Sequence, residues 1–399
     1  MHRRTVLVVA SVAALLLPFA AVADSTIKVG FPMALSGPAA LYGQPVLQGA
    51  QMYVAELNAK GGVLGKKIEL LPRDTKANAD EAVRVSRELI LKDNVDFLVG
   101  SMTSAESPAV STIAKENKIV FVAPMAKTIQ LTDAAHLHPY VNRIASTTDI
   151  EGRAAAVILA KWAEVKKVAT IAPDYAYGRD VMSAFIDRLK ELRPDIQIVD
   201  QQWPKLGQAD FTPFITAQMS KQPDAVFSAV FAGDFASMVK QAKPLGYFDA
   251  IKSRFLGAGE TGSIEIARAL GPDYPYGIVA NTYDPVIWPE NEPAAHKDFI
   301  ARVRAFTKDE YGSSWPVMGY VAMQALVEGI RKAGSTDEDK VAKAMVDLTF
   351  EAPFGPQTLR AKDHTANRSE YWGKMIKDPK YPFAIMTDIQ YPDPTPLMN

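Results

Sequence analysis

The sequence predicts an α/β protein built as two lobes, each around a parallel sheet covered by helices. Three observations predict it. Apolar runs of strand length alternate with segments whose apolar residues recur at helical spacing. That rhythm runs from Ile27 to about Asn142 and then restarts for a similar length. A chain of 399 residues is also long enough for about two domains. Strands that read as continuous apolar runs suit a parallel sheet buried on both faces.

The elements follow in order. IKVGFPM (27–33) has strand length and composition. Val46, Leu47, Ala50, Tyr53, Val54 and Leu57 then share one helical face, and Gly61-Gly62 ends that helix. KIELLP is a strand. Asp80 is placed to cap the next helix, in which Ala82, Val85 and Leu89 share a face. VDFLVG, a helix through Ala114, and IVFVAP complete the first series. In the second series, helices are expected over about 150–164, 180–192, 210–220 and 234–243. Between them stand the strands KVATIAP, IQIVDQQW, DAVFSAVF, RFLGAG and YGIVANTY. Two longer helices are expected over about 293–310 and 316–333. In open sheets of this kind ligands bind beyond the carboxyl ends of the strands, so the loops there are the places to look.

The first residues stand apart. His2-Arg3-Arg4 is a short basic region, TVLVVASVAALLL an apolar one, and Ala21-Val22-Ala23 an A-x-A cleavage site. We expect a signal peptide over 1–23, cleaved after Ala23, and hence an exported, periplasmic protein. Val6 to Ala23 is only about long enough to span a bilayer, and Pro18 argues against an uncleaved anchor. Arg3-Arg4 also loosely fits a twin-arginine signal. Removing 23 of the 399 residues takes away two of 44 basic residues and no acid, leaving a formal charge of −3. No basic excess points to nucleic acid or to an anionic membrane. The chain has no cysteine, which excludes disulfides, thiolate metal sites and a lipid anchor on cysteine.

Catalytic constellations are sparse. Beyond the leader the histidines are His136, His138, His296 and His364. His136 and His138 read as a solvated loop before Pro139, and His364 as surface among polar turn residues. Glu290 and Glu292 read as a solvated loop too. No H-E-x-x-H, P-loop, G-x-S-x-G or EF-hand pattern occurs. Nothing assembles a nucleophile with a base. FLGAGETG (255–262) does match G-x-G-x-x-G, after a strand pattern and before the helical SIEIARAL. Asp284 follows 27 residues after Gly257. That leaves an exported NAD-dependent oxidoreductase as an alternative, carried by one weak motif. No cofactor is otherwise expected, and no metal.

The segment SGPAALYGQPVLQGAQMYVAELNAKGGVLGKKIELLPRDTKANADEAVRVSRELI (36–90) resembles the N-terminal region of periplasmic branched-chain amino acid binding proteins. These are the type I solute-binding components of ABC transporters. VDFLVGSMTSAESPA, VFVAPMAKTIQLTD, IAPDYAYGRD, DFTPFITAQM, KQAKPLGYF and PFGP extend the resemblance over most of the chain. It implies two Rossmann-like lobes joined by three crossing segments, with ligand clamped between them. The division expected is 24–145 with 281–350 as one lobe and 146–280 with 351–399 as the other. It also implies a monomeric, non-enzymatic receptor that delivers its ligand to an ABC permease in the inner membrane. An exported sensor would read the same way.

The resemblance and the residues together propose a site. Thr103 and Ser104 sit where a strand gives way to a helix near Ala105, and helix N-terminal amides favour a carboxylate. In the family a serine here holds the ligand's carboxylate. The loop VAPMAKT matches one that supplies backbone groups and a threonine; Met125 keeps its place, while Lys127 stands where the threonine is expected. A lysine there either faces the cleft, favouring a second acidic group on the ligand, or lies outside the pocket. Tyr42, Tyr177 and Tyr283 match aromatic wall positions, and Phe231 in FAGDF fits the same wall. Asp234 beside it is placed to cap a helix. Glu260 resembles the glutamate that pairs with the ligand's α-ammonium, with GAGETG alignable two ways one residue apart. The ligand implied is a small carboxylate, a branched-chain or other aliphatic amino acid, with an aromatic or other organic acid as the alternative.

Overall fold

The computed structural model describes residues 26–398, so the expected leader over 1–23 lies outside the described residues. The chain begins β1 (Ile27–Met33), α1 (Ala40–Ala59), β2 (Ile68–Asp74), α2 (Ala79–Leu91), β3 (Phe97–Val99), α3 (Glu106–Asn117), β4 (Phe121–Ala123) and β5 (Val141–Arg143). These strands form one parallel sheet in the order β2-β1-β3-β4-β5. All three residues of β3 and of β4 are fully buried, as strands covered on both faces must be.

A second series follows: α4 (Thr148–Ala160), β6 (Lys167–Ile171), α5 (Ala176–Leu192), β7 (Gln197–Gln202), α6 (Thr212–Ser220), β8 (Ala225–Ser228) and α7 (Ala232–Ala242). Then come α8 (Tyr247–Ala250), β9 (Phe255–Gly257), α9 (Ile264–Leu270) and β10 (Val279–Thr282). β6 to β10 are parallel. The chain continues through α10 (Ala294–Thr307), α11 (Pro316–Ala333) and α12 (Glu338–Met345), then the hairpin β11 (Thr349–Ala352) and β12 (Gly355–Thr358). Finally β13 (Tyr371–Ile376) and β14 (Ile385–Gln390) add antiparallel to β10, giving a second sheet ordered β14-β13-β10-β9-β8-β6-β7. The C-terminal pair has no counterpart in the sequence reading, because its strands lack a continuous apolar run.

The chain passes three times between the sheets. β5 leads into α4, which packs on α5. β10 leads to α10 and α11, which return to pack on α1. The third passage runs from β12 to β13, and on the way Thr365 bridges to Arg143 of β5. These are the two Rossmann-like lobes and three crossings that the resemblance implies. No helix among the described residues is long and apolar enough to cross a membrane.

Several local expectations change in the folded chain. Asn78, in extended backbone, caps α2 by accepting from the Glu81 amide, and Asp80 falls inside the first turn. Asp234 caps nothing; it lies in the first turn of α7 and accepts from the Gly207 amide at 2.7 Å. His138 is buried against α3, with Nε2 2.8 Å from the Ser111 hydroxyl, and burial pushes its pKa down to about 4. His364 is buried too, its Nδ1 3.0 Å from the Val141 carbonyl, because the third passage lies across β5. Both sit in polar-looking stretches whose backbone the fold covers. Of the acidic loop before α10, Glu292 is engaged by His296.

α1 and α11 touch backbone to backbone. A Cβ on Gly49 would lie 1.8 Å from the Pro316 carbonyl oxygen, and one on Gly319 would lie 1.9 Å from that of Val46. Neither neighbour is a flexible side-chain end, so only glycine fits at this crossing. Gly319→Ala is therefore expected to destabilise the protein by about 1–3 kcal/mol through overpacking. Urea denaturation checks this, and a change below about 0.5 kcal/mol would show that the crossing relaxes freely.

The second passage holds a buried histidine. His296 Nε2 is 2.7 Å from Asp284 Oδ1, and Nδ1 is 2.7 Å from Glu292 Oε1. Burial works against the imidazolium, but the two carboxylates outweigh it and hold the pKa above its ordinary value. A raised pKa contributes stability that is fully present below the unfolded value of about 6.5 and is lost as pH rises through the folded value. Thermal stability should therefore fall as pH is raised from about 6 into that window, and His296→Gln should flatten this part of the profile. Equal pH profiles for the two proteins would exclude the effect.

Candidate functional site

Loops at the carboxyl ends of six strands converge between the sheets. Ser104 follows β3, Lys127 follows β4, Tyr177 follows β6, Phe231 follows β8, Glu260 follows β9 and Tyr283 follows β10. Parallel strands all end on the same side, so their loops meet there without further design. Between them lies a cavity with about 360 Å³ of empty space. Of the residues proposed from sequence, Tyr42, Thr103, Ser104, Met125, Lys127, Tyr177, Phe231 and Glu260 line it. Tyr283 does not. It stands behind the wall, its ring 5.8 Å from that of Trp315, which takes the place at the cavity surface.

Ser104 sits at a built helix start. Thr103 and Glu106 form a capping box: the Thr103 amide donates to Glu106 at 2.7 Å and the Glu106 amide donates to Thr103 Oγ1 at 3.2 Å. Ser104 Oγ accepts from the Thr128 amide at 3.1 Å, which leaves its hydroxyl hydrogen free to donate. That hydroxyl and the N-terminus of α3 together favour an anionic group. The loop carrying Lys127 and Thr128 is held from behind by buried Arg143. Its guanidinium donates to the Thr128 carbonyl at 2.5 Å and to Thr132 Oγ1 at 2.6 Å, and burial pushes its pKa down to about 10.

Aromatic rings make the rest of the wall. Tyr42 lies on Trp315 with ring centres 4.2 Å apart, and Tyr177 meets Phe231 edge-on at 5.6 Å. Tyr42 also closes the cleft. Its hydroxyl lies 3.1 Å from the Glu260 carbonyl and 3.2 Å from that of Gly259, and accepts from the Ala232 amide at 3.3 Å. Thr128 adds a second closure contact, donating to Asp180 of α5 at 2.7 Å. Two buried polar atoms in the wall have no hydrogen-bond partner among the described residues: Tyr177 Oη and Trp315 Nε1. Buried polar atoms normally find partners, so each is open to a group on a ligand.

Lys127 resolves the choice left open by the sequence. It faces the cavity, yet its ammonium is bound by the protein's own carboxylates. Nζ donates to Glu370 Oε1 at 2.7 Å, lies 3.0 Å from Glu151 Oε1, and forms a short contact with Glu260. Burial opposes the charge on Lys127, but the three glutamates outweigh it and raise its pKa well above the ordinary value. Burial pushes the pKa of Glu260 and of Glu151 above the ordinary glutamate value, with Lys127 opposing both shifts. Asn281 braces the carboxylates, donating to Glu151 at 2.9 Å and to Glu370 at 2.8 Å. Ser146 donates to Glu370 and lies 2.9 Å from Tyr283 Oη.

This network also bears on the glycine fingerprint. The Gly259 amide donates to Glu151 at 2.9 Å and the Glu260 amide donates to Asn281 at 2.7 Å. These amides are committed, and the buried carboxylates beside them repel a pyrophosphate. Gly259 itself is needed for close approach: at φ +71°, a Cβ there would meet Phe231 Cβ at 2.7 Å. The glycines of FLGAGETG thus shape the cavity wall.

Sequence reasoning missed Met102, Tyr175 and Trp315 in the lining, and Glu151 and Glu370 around Lys127. Tyr175 was within reach, since it shares the DYAYGRD loop with Tyr177. Glu151 looks like an ordinary acid in a helical first turn, and nothing local marks Glu370.

Residues 26–378 match the family described as periplasmic binding protein. The chain is 30% identical over 333 residues to the Leu/Ile/Val-binding protein BraC3 of Rhizobium johnstonii, covering 83% of this chain and 86% of that protein. It is 26% identical over 339 residues to the Leu/Ile/Val-binding protein of Citrobacter freundii, covering 84% and 87%. Among solved structures, it is similar to an ABC-transporter solute-binding protein of Rhodopseudomonas palustris BisB5 in complex with 3,4-dihydroxybenzoic acid. That match has TM-score 0.79 and 25% identity, over 93% of this chain and 99% of that one. It also shares its fold with the branched-chain amino acid transporter substrate-binding protein LivJ of Streptococcus pneumoniae, solved with isoleucine. There the TM-score is 0.80 and the identity 22%, over 92% of this chain and 100% of that one. With the family match spanning most of its length and the fold in agreement, this chain belongs to the periplasmic binding protein family, as a solute-binding protein of the ABC-transporter kind.

Proposed function

We propose that the protein captures a small aromatic carboxylate between its lobes in the periplasm and delivers it to an ABC permease in the inner membrane. The observation that carries this reading is the bond between Lys127 and Glu260. An amino acid needs a carboxylate for its ammonium, and Glu260, which the resemblance assigns to that task, already holds an ammonium from the protein. What remains for a ligand is a donor set for one anion, at Ser104 and the start of α3, and walls of aromatic rings. The ring of the ligand packs among Tyr42, Tyr177, Phe231 and Trp315. Tyr177 Oη offers a hydrogen bond to a ring substituent. The similarity to a protein crystallised with 3,4-dihydroxybenzoic acid supports the same ligand class.

In this reading the two lobes move against each other about the three passages, and Tyr42 and Thr128 make their cross-cleft contacts only on closing. Ligand favours the closed form by its extra contacts there. The reading that the sequence favours, a branched-chain amino acid, retains the support of the relative at 30% identity.

A thermal-shift and calorimetric screen of benzoate, hydroxybenzoates, leucine, isoleucine and valine separates the two. Aromatic acids should bind and raise the melting temperature, and the aliphatic amino acids should not. Ser104→Ala should weaken the aromatic acid by about 1–3 kcal/mol through loss of a bond to a charged group. Tight leucine binding with no response to any aromatic acid would overturn the proposal, and unchanged affinity in Ser104→Ala would remove Ser104 from the carboxylate site.

A further inference from the structure

We propose that Lys127 is the specificity-determining residue of the cleft: a built-in ammonium that fills a carboxylate cage and so turns away ligands that bring an ammonium of their own. The inference rests on the aromatic-carboxylate reading and explains how it is enforced.

Two of the three cage glutamates are fixed independently of the lysine. Glu151 is fixed by the Gly259 amide at 2.9 Å and by Asn281. Glu370 is fixed by Asn281 at 2.8 Å and by Ser146. Glu260 has its amide on Asn281 at 2.7 Å and its side chain in the cavity wall. One oxygen of each glutamate lies within 4.8 Å of the others. That spacing suits a single small cation, and the ammonium of Lys127 stands in that place, 2.7 Å from Glu370 and 3.0 Å from Glu151. The Tyr283 ring faces the same ammonium, with its centre 5.0 Å away, which adds cation–π attraction.

Two consequences follow for ligands. The Lys127 ammonium donates to Glu260 and Glu370 and lies 3.0 Å from Glu151, so its charge is directed at the protein's own carboxylates rather than at a ligand's. It lines the cavity without being the anion anchor. Glu260 is the one cage carboxylate that reaches the cavity lining, and its oxygen is on Lys127. A ligand ammonium would have to displace the lysine, whose stem is tethered to the loop after β4, or stand beside it as a second cation. Displacement breaks buried ion pairs, and a second ammonium would stand against Lys127 at the same Glu260 carboxylate. Without the lysine, the same carboxylates are left with no cation among them and open to the cavity through Glu260, and an α-ammonium is the natural replacement.

The experiment uses the mature protein and three ligands by titration calorimetry: benzoate, leucine, and 4-methylpentanoate, which keeps leucine's carbon skeleton and carboxylate without the amine. In the native protein the α-ammonium should gain nothing, so leucine should bind no better than 4-methylpentanoate. Lys127→Met should raise leucine affinity relative to 4-methylpentanoate by about 100-fold. Uncompensated glutamates threaten folding of that variant, so Lys127→Met is also combined with Glu370→Gln, which restores the formal charge of the native cage. The native comparison needs no variant at all. Leucine binding more than tenfold tighter than 4-methylpentanoate in the native protein would overturn the inference. So would folded variants that gain no leucine binding while the native protein takes benzoate. A native protein that takes leucine and not benzoate would instead overturn the ligand class on which the inference rests.

Discussion

The arrangement between the lobes depends on one buried charge. Removing an ammonium from water is unfavourable unless partners surround it, and Lys127 recovers its hydration from three glutamates drawn from separate parts of the chain. Glu151 comes from the first helix after one crossing, Glu260 from the loop after β9, and Glu370 from the end of another crossing. The lysine comes from the opposite sheet. An interaction of this kind adds little net stability, because the desolvation of four ionisable groups offsets the attraction. Its effect is on geometry. The loop after β4, the loop after β9 and two crossings must be in register for the cage to close, and that register sets the shape of the cavity.

The fold explains why such a convergence is available. Parallel strands deliver their loops to one end of each sheet, and two sheets face each other at that end. The loops therefore supply helix starts, hydroxyls and rings from both sides of a narrow space. In this chain the polar groups divide by role. The cage consumes most of the ionic ones internally. The Ser104 hydroxyl, the Tyr177 hydroxyl and the Trp315 indole are left facing the cavity or buried in its wall without a full set of partners. In the proposed reading, one anion anchor and ring walls select a flat acid over a zwitterion because an unpaired ammonium would remain buried.

Much of this was legible in the sequence. β1 and α11 run over the residues that their apolar patterns indicate, because a buried face imposes a period that packing then confirms. Tyr42, Ser104, Tyr177 and Glu260, which the resemblance to the binding-protein family singled out, all line the cavity. The failures share a cause. His138 and His364 look solvated because their neighbours in sequence are polar, yet other segments cover them. β13 and β14 lack a long apolar run because one of them lies at the sheet edge. Trp315 was invisible as a wall residue because its partner rings, Tyr42 and Tyr283, are hundreds of residues or tens of residues away.

By itself the sequence determined the α/β class, the two series of strands and helices, the strand-end loops that carry the site, and the residue types placed there. Those are consequences of local periodicity and of glycine, proline and capping chemistry. Whether Lys127 meets a ligand or the protein was decided only in three dimensions. Its three carboxylates lie 24, 133 and 243 residues away along the chain. No local pattern brings an ammonium and those acids together; the pairing exists because the strand order and the crossings place their loops at one point, where burial makes each charge require the others.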